Sequence, residues 1–307
     1  MTVPMIIDTD PGVDDAVALM LAVASPEVQL LAVTTVFGNA SVETTTANAL
    51  RLRALAGLGQ LPVAAGAGRP LVYPARSRGA RGHGRDGLGG RADLLPEPRG
   101  GVNALGAVAL MATLLRGAVT PVTLVAIGPL TNIALLLAVH PEVKPRIDRI
   151  VTMGGNLGGP PPEFNINSDP EAARRVLVEE DVPITLVPLD LALRVTVDGA
   201  WLAKLAAAGP RCAALAGVIK HYRDLYGKHR WAPVALHDSL AMLEAAVPGT
   251  LATTPMVLQV VCGHGGDRGT VLVSSAARSA QRVVQVARDA NPVSINATIL
   301  NRLRVLG

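Results

Sequence analysis

The chain alternates short, nearly unbroken apolar runs with longer stretches whose apolar residues recur at helical spacing. Residues 3–7 read as a buried strand and 14–24 as the helix that follows it. The same pattern predicts a strand at 29–36, a helix at 42–56, a short strand at 62–65 and a helix at 102–115. Beyond these it predicts a strand at 122–127, a helix at 130–139, a strand at 149–153, a helix at 170–179 and a strand at 184–188. Strands that are apolar along their whole length are covered on both faces, and strands that alternate with helices pair in parallel. The predicted fold class is therefore α/β, a mainly parallel open sheet with helices on both faces. The last third changes rhythm. Residues 198–246 read as mostly helical, a C-terminal helical region. Residues 256–262, 270–274 and 281–287 read as small antiparallel strands joined by polar turns, and a terminal helix follows Pro292. No linker interrupts these parts and no repeat is visible, so residues 1–307 are expected to form one domain. One segment, RSRGARGHGRDGLGGRADLLPEPRGG at 76–101, has no periodicity. A loop of that length in a compact domain is functional or disordered.

Composition narrows this picture. Half of the 307 residues are hydrophobic but only 2% are aromatic, so Ala, Val and Leu must build the core. The formal charge of +4 comes mostly from Arg, and no basic helix gathers it. That reads as a solvated surface rather than a nucleic-acid footprint. Two cysteines, Cys212 and Cys262, form no CxxC unit, which argues against a zinc site and a disulfide framework. The first residues lack the basic region of a signal peptide, and no apolar run has membrane-spanning length. The expectation is a cytoplasmic protein with neither nucleic-acid nor membrane partners.

The chemistry concentrates at strand ends. The first strand runs into DTDPGVDD at 8–15, four carboxylates in eight residues. Capping the next helix uses one or two acids. The remainder suits a hard cation such as calcium, which takes about six to eight oxygen ligands. In open parallel sheets ligands bind beyond the carboxyl ends of the strands, where this cluster lies. A DxD at a first strand's end also fits a magnesium-dependent phosphotransferase with an aspartyl nucleophile. Further polar residues follow other strands: Asn39, Thr131 and Asn132, Asn156, Glu163 and Asn165, His237 and Asp238. Amides and acids suit a ligand rich in hydroxyls, and no Lys or Arg stands among them to grip a phosphate. Of the seven aromatics, all but Trp201 lie near these motifs or the long loop, placed to wall a flat base.

Seven segments together resemble the inosine-uridine-preferring nucleoside hydrolase family: DTDPGVDDAVAL (8–19), TTVFGN (34–39), HGRDGLGG (83–90), IGPLTNIA (127–134), MGG (153–155), EFNINSDPEAA (163–173) and HDSLA (237–241). They stand in family order and span most of the chain. The resemblance implies a nucleoside hydrolase-like fold and hydrolysis of the N-glycosidic bond of ribonucleosides. It implies a tightly held calcium, with Asp10, Asp15 and Asp238 as carboxylate ligands and the backbone carbonyl of Ile127 as a further one. Asp10 then resembles the general base acting on a calcium-bound water, which Asn39 helps orient. Asp14 and Asn165 resemble residues that hold the ribose hydroxyls, and Glu163 one that holds the 5′-hydroxyl. His237 resembles a residue near the leaving base, with His83 as a second histidine for that task. Phe164, Tyr222 and Tyr226 are expected against the base. The 76–101 and 222–234 loops, the latter with Lys228 to Trp231, are expected to close over it.

The chain departs from the family in MGGNLGGPPPE at 153–163, a shortened loop that leaves open whether Asn156 supplies a 5′-hydroxyl contact or none remains. Family members are commonly homodimers or homotetramers. A non-catalytic calcium-dependent nucleoside binder stands as the alternative to the hydrolase.

Overall fold

The structure, a computed structural model, describes residues 2–73, 80–98, 100–226, 234–274 and 282–307, with backbone alone for 80, 81 and 221–226. The first half contains β1 (Val3–Thr9), α1 (Val13–Ala24), β2 (Val28–Thr35), α2 (Val42–Ala56), β3 (Val63–Ala65), α3 (Ala80–His83), α4 (Ala107–Gly117), β4 (Val122–Ala126), α5 (Thr131–Val139) and β5 (Ile147–Met153). There follow α6 (Phe164–Ser168), α7 (Pro170–Arg174), β6 (Ile184–Val187), α8 (Leu189–Ala192), β7 (Thr196–Val197), α9 (Gly199–Ala206) and α10 (Pro210–Tyr226). The chain ends with β8 (Val234–Ala235), α11 (His237–Ala246), β9 (Ala252–Met256), β10 (Leu258–Val260), β11 (Val271–Val273), β12 (Val284–Asp289) and α12 (Pro292–Leu303).

Eight strands form the main sheet in the order β3-β2-β1-β4-β5-β6-β12-β9. All neighbours are parallel except β9, which runs antiparallel to β12. From β1 the chain first builds outward through β2 and β3, then crosses to β4 and builds the other way. The order therefore reverses between β1 and β4, and the carboxyl ends of these two strands flank the crevice such a switch creates. Alternate residues of β1 enter different cores. Met5 and Ile7 pack with α1, α10, α11 and α12, whereas Ile6 packs with α4, α5 and α7. The period-two alternation continues past the apolar run, so Asp8 shares the face of Ile6 and Thr9 that of Ile7.

Three elements differ from the sequence expectation. The helix expected from residue 102 begins at Ala107, because the Asn103 amide donates to Val63 O and its side-chain oxygen accepts from Leu105 N, which holds this stretch beside β3. The strand expected at 256–262 divides at Val257: β9 belongs to the main sheet and β10 pairs with β11. β9 is an exposed edge carrying Thr253, Thr254 and Pro255, a composition without apolar signal and a Pro position that an edge tolerates. The strand expected at 281–287 spans Val284–Asp289 and joins the main sheet beside β6, not a small separate one. Among the described residues no helix is long and apolar enough to cross a membrane.

Candidate active site

The turn from β1 to α1 is built by its own acids. Asp15, three residues into the helix, accepts from Gly12 N at 2.9 Å and so closes the helix start, while its other oxygen accepts from Thr9 Oγ1 at 2.5 Å. Both Asp14 and Asp15 lie in the first turn, where the helix dipole favours negative charge. The packing is close enough that a methyl on Gly12 would collide with His83 Nδ1 and Asn39 Nδ2. His83 reaches this turn from α3, and its Nδ1 accepts from Val13 N at 3.1 Å. That bond leaves Nε2 to carry the proton of the neutral ring.

Asn39 joins two of the acids. Its backbone N–H donates to Asp10 Oδ2 at 2.7 Å, and its side-chain Nδ2 donates to Asp15 Oδ2 at 2.9 Å and to Asp10 O at 3.2 Å. Gly38, at φ 159°, and Gly128 pass so close to the Asp10 carboxylate that a side chain on either would strike it. Asp10 Oδ1 is buried and, among the described residues, has no hydrogen-bond partner. From the other side of the crevice, Asn165 Nδ2 donates to Ile127 O at 2.9 Å and to Met153 O at 3.3 Å. Glu163 caps α6, accepting from Asn165 N and Ile166 N at 2.7 and 3.0 Å, and takes Gly155 N at 2.9 Å. His237 and Asp238 open α11, and the buried His237 Nδ1 has no partner among the described residues.

Asp14, Asp15 and Asp238 each bring an oxygen within 4.8 Å of the others. Asp10 lies outside that triplet but within its field. Burial, and then the charge of Asp15, drives the Asp10 carboxyl well above the ordinary carboxylate range. Burial and then Asp14 raise Asp15 to about 6. Asp238 is raised well above its usual value by burial, then by Asp14, Asp15, Asp10 and Glu163. Burial also raises Glu163 and lowers His237. Among the described residues, the hydrogen-bond donors to Asp10 and Asp15 are backbone amides, Thr9 and Asn39, all neutral. Clustered, buried carboxylates of this kind, one with an unpartnered oxygen, fit a hard divalent cation bound through oxygen.

The structure thus brings Asp10, Asp14, Asp15, Asn39, Ile127 O, Glu163, Asn165, His83, His237 and Asp238 to one sheet edge. Asn156 is turned onto its own loop, donating to Pro161 O and accepting from Gly158 N. Phe164 is half-buried at the start of α6. Tyr222 and Tyr226 fall in the last turns of α10, but their side chains lie outside the described residues, as do Lys228 to Trp231 and residues 76–79. Sequence reasoning did not find Thr9 as a partner of Asp15, nor any role for Asp8, whose Oδ1 accepts from Thr34 Oγ1 and Asn132 Nδ2. The alternation along β1 carries the only signal for the former.

The family model described as inosine-uridine preferring nucleoside hydrolase matches residues 5–296. A pyrimidine-specific ribonucleoside hydrolase RihA from Enterobacter is 42% identical over 245 residues, covering 78% of this chain and 77% of its own. One from Shewanella baltica is 49% identical over 195 residues, covering 62% and 60%. Among solved structures, a plant nucleoside hydrolase superposes with a TM-score of 0.90 at 27% identity, covering 99% of both chains. A purine-preferring ribonucleoside hydrolase from Gardnerella vaginalis gives a TM-score of 0.90 at 27% identity, covering 99% of this chain and 98% of its own.

Proposed function

Since the chain belongs to the inosine-uridine preferring nucleoside hydrolase family, we propose that it hydrolyses the N-glycosidic bond of ribonucleosides, releasing ribose and free base, with Asp10 as general base and calcium as its cofactor. The observation that carries this reading is the buried carboxylate cluster at the β1–β4 switch, with one Asp10 oxygen unengaged by any described residue. Asp10, Asp15, Asp238 and the Ile127 carbonyl would hold the ion, and Asp14 stands close enough to share it. Bound there, calcium would supply Lewis acidity toward a water and toward the sugar's hydroxyls.

The chain's own groups account for the remaining work. Asp10, held by the Asn39 amide, takes the proton of the attacking water through Oδ1. Asn39 orients that water. Asn165 has committed both N–H bonds to Ile127 O and Met153 O, so its Oδ1 accepts from a ribose hydroxyl. Asp14 accepts from the other, and Glu163 faces the 5′-hydroxyl. As the bond to the base stretches, positive charge grows on the ribose ring, and the surrounding carboxylates stabilise it. Attack opposite the leaving base resembles inverting glycoside hydrolysis. His237 and His83, with Phe164, would line the side of the leaving base. Identities of 42% and 49% to relatives named pyrimidine-specific favour uridine and cytidine as substrates. The family resemblance supports a homodimer or homotetramer, and two free cysteines suit a reducing cytoplasm.

The test is ribose release from uridine, cytidine, inosine and adenosine by purified protein, with and without a chelator and after calcium is restored. Release from pyrimidine nucleosides that stops on chelation and returns with calcium is expected. Bound calcium with no release from any nucleoside would favour the non-catalytic binder and overturn the reading.

A further inference from the structure

Beneath the site, on the opposite face of β1 from Thr9, lies a second polar group to which the reaction assigns nothing. Asn132, in the first turn of α5, is fully buried. Its Nδ2 donates one proton to Asp8 Oδ1 at 2.8 Å and the other to Thr35 O at 3.0 Å. Its Oδ1 accepts from Ala67 N at 2.9 Å. The amide therefore has its orientation set from both ends: two acceptors face the nitrogen and one donor faces the oxygen. Asp8 is itself buried and steadied by Thr34 Oγ1 at 2.6 Å. Gly66 passes so close that an added methyl would strike all three heavy atoms of the Asn132 amide.

The groups Asn132 holds lead straight to the catalytic edge. Thr35, the last residue of β2, also accepts from Gly66 N at 2.9 Å, which locks the turn after β3 against it. Ala67, held by Asn132 through its N–H, accepts with its carbonyl from Phe37 N at 3.0 Å. The next link of this segment, Gly38 N to Ala40 O, shapes the turn that presents the Asn39 amide to Asp10 Oδ2. The 36–39 segment is thus gripped from β1 through Val36 N to Thr9 O, and from the 66–67 turn through Phe37. Only the second grip depends on Asn132.

We infer that Asn132, oriented by Asp8, is a positioning residue that fixes the Asn39 loop and through it the Asp10 carboxylate. This rests on the reading of Asp10 as the general base. An ordinary core function would need no polar side chain here. Burying an amide and a carboxylate is costly unless their bonds are made; the Asn132 amide makes all three of its bonds, whereas Asp8 Oδ2 has no hydrogen-bond partner among the described residues, and an apolar pair would fill the same space. What the polar pair supplies is direction for three backbone segments that are far apart in sequence.

The experiment measures kcat and KM for uridine in wild type, Asn132→Ala, Asn39→Ala and the double variant, at a temperature well below each melting point. Gly66→Ala displaces the same amide without deleting it, and serves if Asn132→Ala does not fold. Leu115→Ala, on the buried face of α4, controls for lost stability alone. Asn132→Ala and Gly66→Ala are expected to lower kcat about 10- to 100-fold with KM changed less than about threefold, a displaced group acting in the transition state. Leu115→Ala should keep its kcat. Because Asn132 acts through the Asn39 loop, the double variant should fall short of the product of the single losses by about threefold or more. Asp8→Asn, which keeps an acceptor, should recover most of what Asp8→Ala loses. Fully multiplicative losses, an effect on KM alone, or a kcat loss no larger than that of Leu115→Ala would overturn the inference. A wild type that releases no ribose would instead overturn the underlying assignment, and this role with it.

Discussion

Asp10 occupies a position with contradictory demands. It is buried beside other carboxylates, which opposes ionisation, and one oxygen is tied to the Asn39 amide, which favours it. In the proposed mechanism a general base must be ionised, and a cation held by the cluster would favour that form of Asp10. Asp10→Asn keeps the shape and an oxygen for the Asn39 N–H but removes the base. It should fold with an unchanged circular dichroism spectrum and lose roughly 10²- to 10⁴-fold in kcat, the range general bases contribute. Turnover within about tenfold of wild type would remove Asp10 from the role. This residue was legible because its motif is local: four acids, a Pro and a Gly in eight positions have few other physical uses. Asn132 was visible only as one polar residue among several at strand ends. Its partners Asp8, Thr35 and Ala67 stand 124, 97 and 65 residues away. Contacts at that separation leave no pattern in the local sequence.

At the scale of elements, the six parallel strands β1 to β6 were legible because burial on both faces keeps an apolar stretch in each, with polar residues such as Gln29 in β2 and Asp148 in β5 confined to the exposed starts. The edge strand β9 was not, since an exposed edge has no apolar requirement, and α6 is a single short turn set by the Glu163 cap rather than by periodicity. Helix α11 matters most to the site, because its first turn carries His237 and Asp238. Its far end is fastened by polar bonds. Glu244 accepts from Gly249 N at 3.1 Å and Leu251 N at 2.9 Å, and Arg149 Nη2 donates to the carbonyls of Glu244 and Ala245. Glu244→Ala would leave two amides and the Arg149 charge without their buried partner. The expected cost is about 2–4 kcal/mol, seen as a melting temperature lower by several degrees. Below that temperature kcat should stay near wild type, because the helix start is held separately by the crevice. An unchanged melting temperature would show that the turn finds other partners.

The whole molecule carries a formal charge of +4, yet its sheet edge gathers buried acids. That local excess sets how stability depends on pH. Asp8 is pushed up to about 7 and Asp15 to about 6, while Asp10 and Asp238 stand well above their ordinary value, burial being the largest cause for each. A carboxyl raised in the folded state binds its proton more tightly there than in the unfolded chain. Its contribution is fully present below the unfolded value near 4 and is lost as pH rises through the folded value. His237, lowered by burial, acts in the opposite sense up to its ordinary value of 6.5, but it is one group against these four and the likewise raised Glu163 and Asp169. The exposed acids Glu142, Asp181 and Asp289 are lowered, so their effect falls below their ordinary values of 4.5 and 3.8 and outside this window. The metal-free protein should therefore melt at a lower temperature at pH 8 than at pH 5. A divalent cation binds only the ionised cluster, so the rise in melting temperature on adding calcium should be several degrees at pH 8 and smaller at pH 5. Scanning calorimetry of chelated and calcium-loaded protein at the two pH values measures both. A calcium effect that is equal at pH 5 and pH 8 would mean that the ion binds away from these carboxylates, and that the charge gathered at the β1–β4 switch is balanced by some other means.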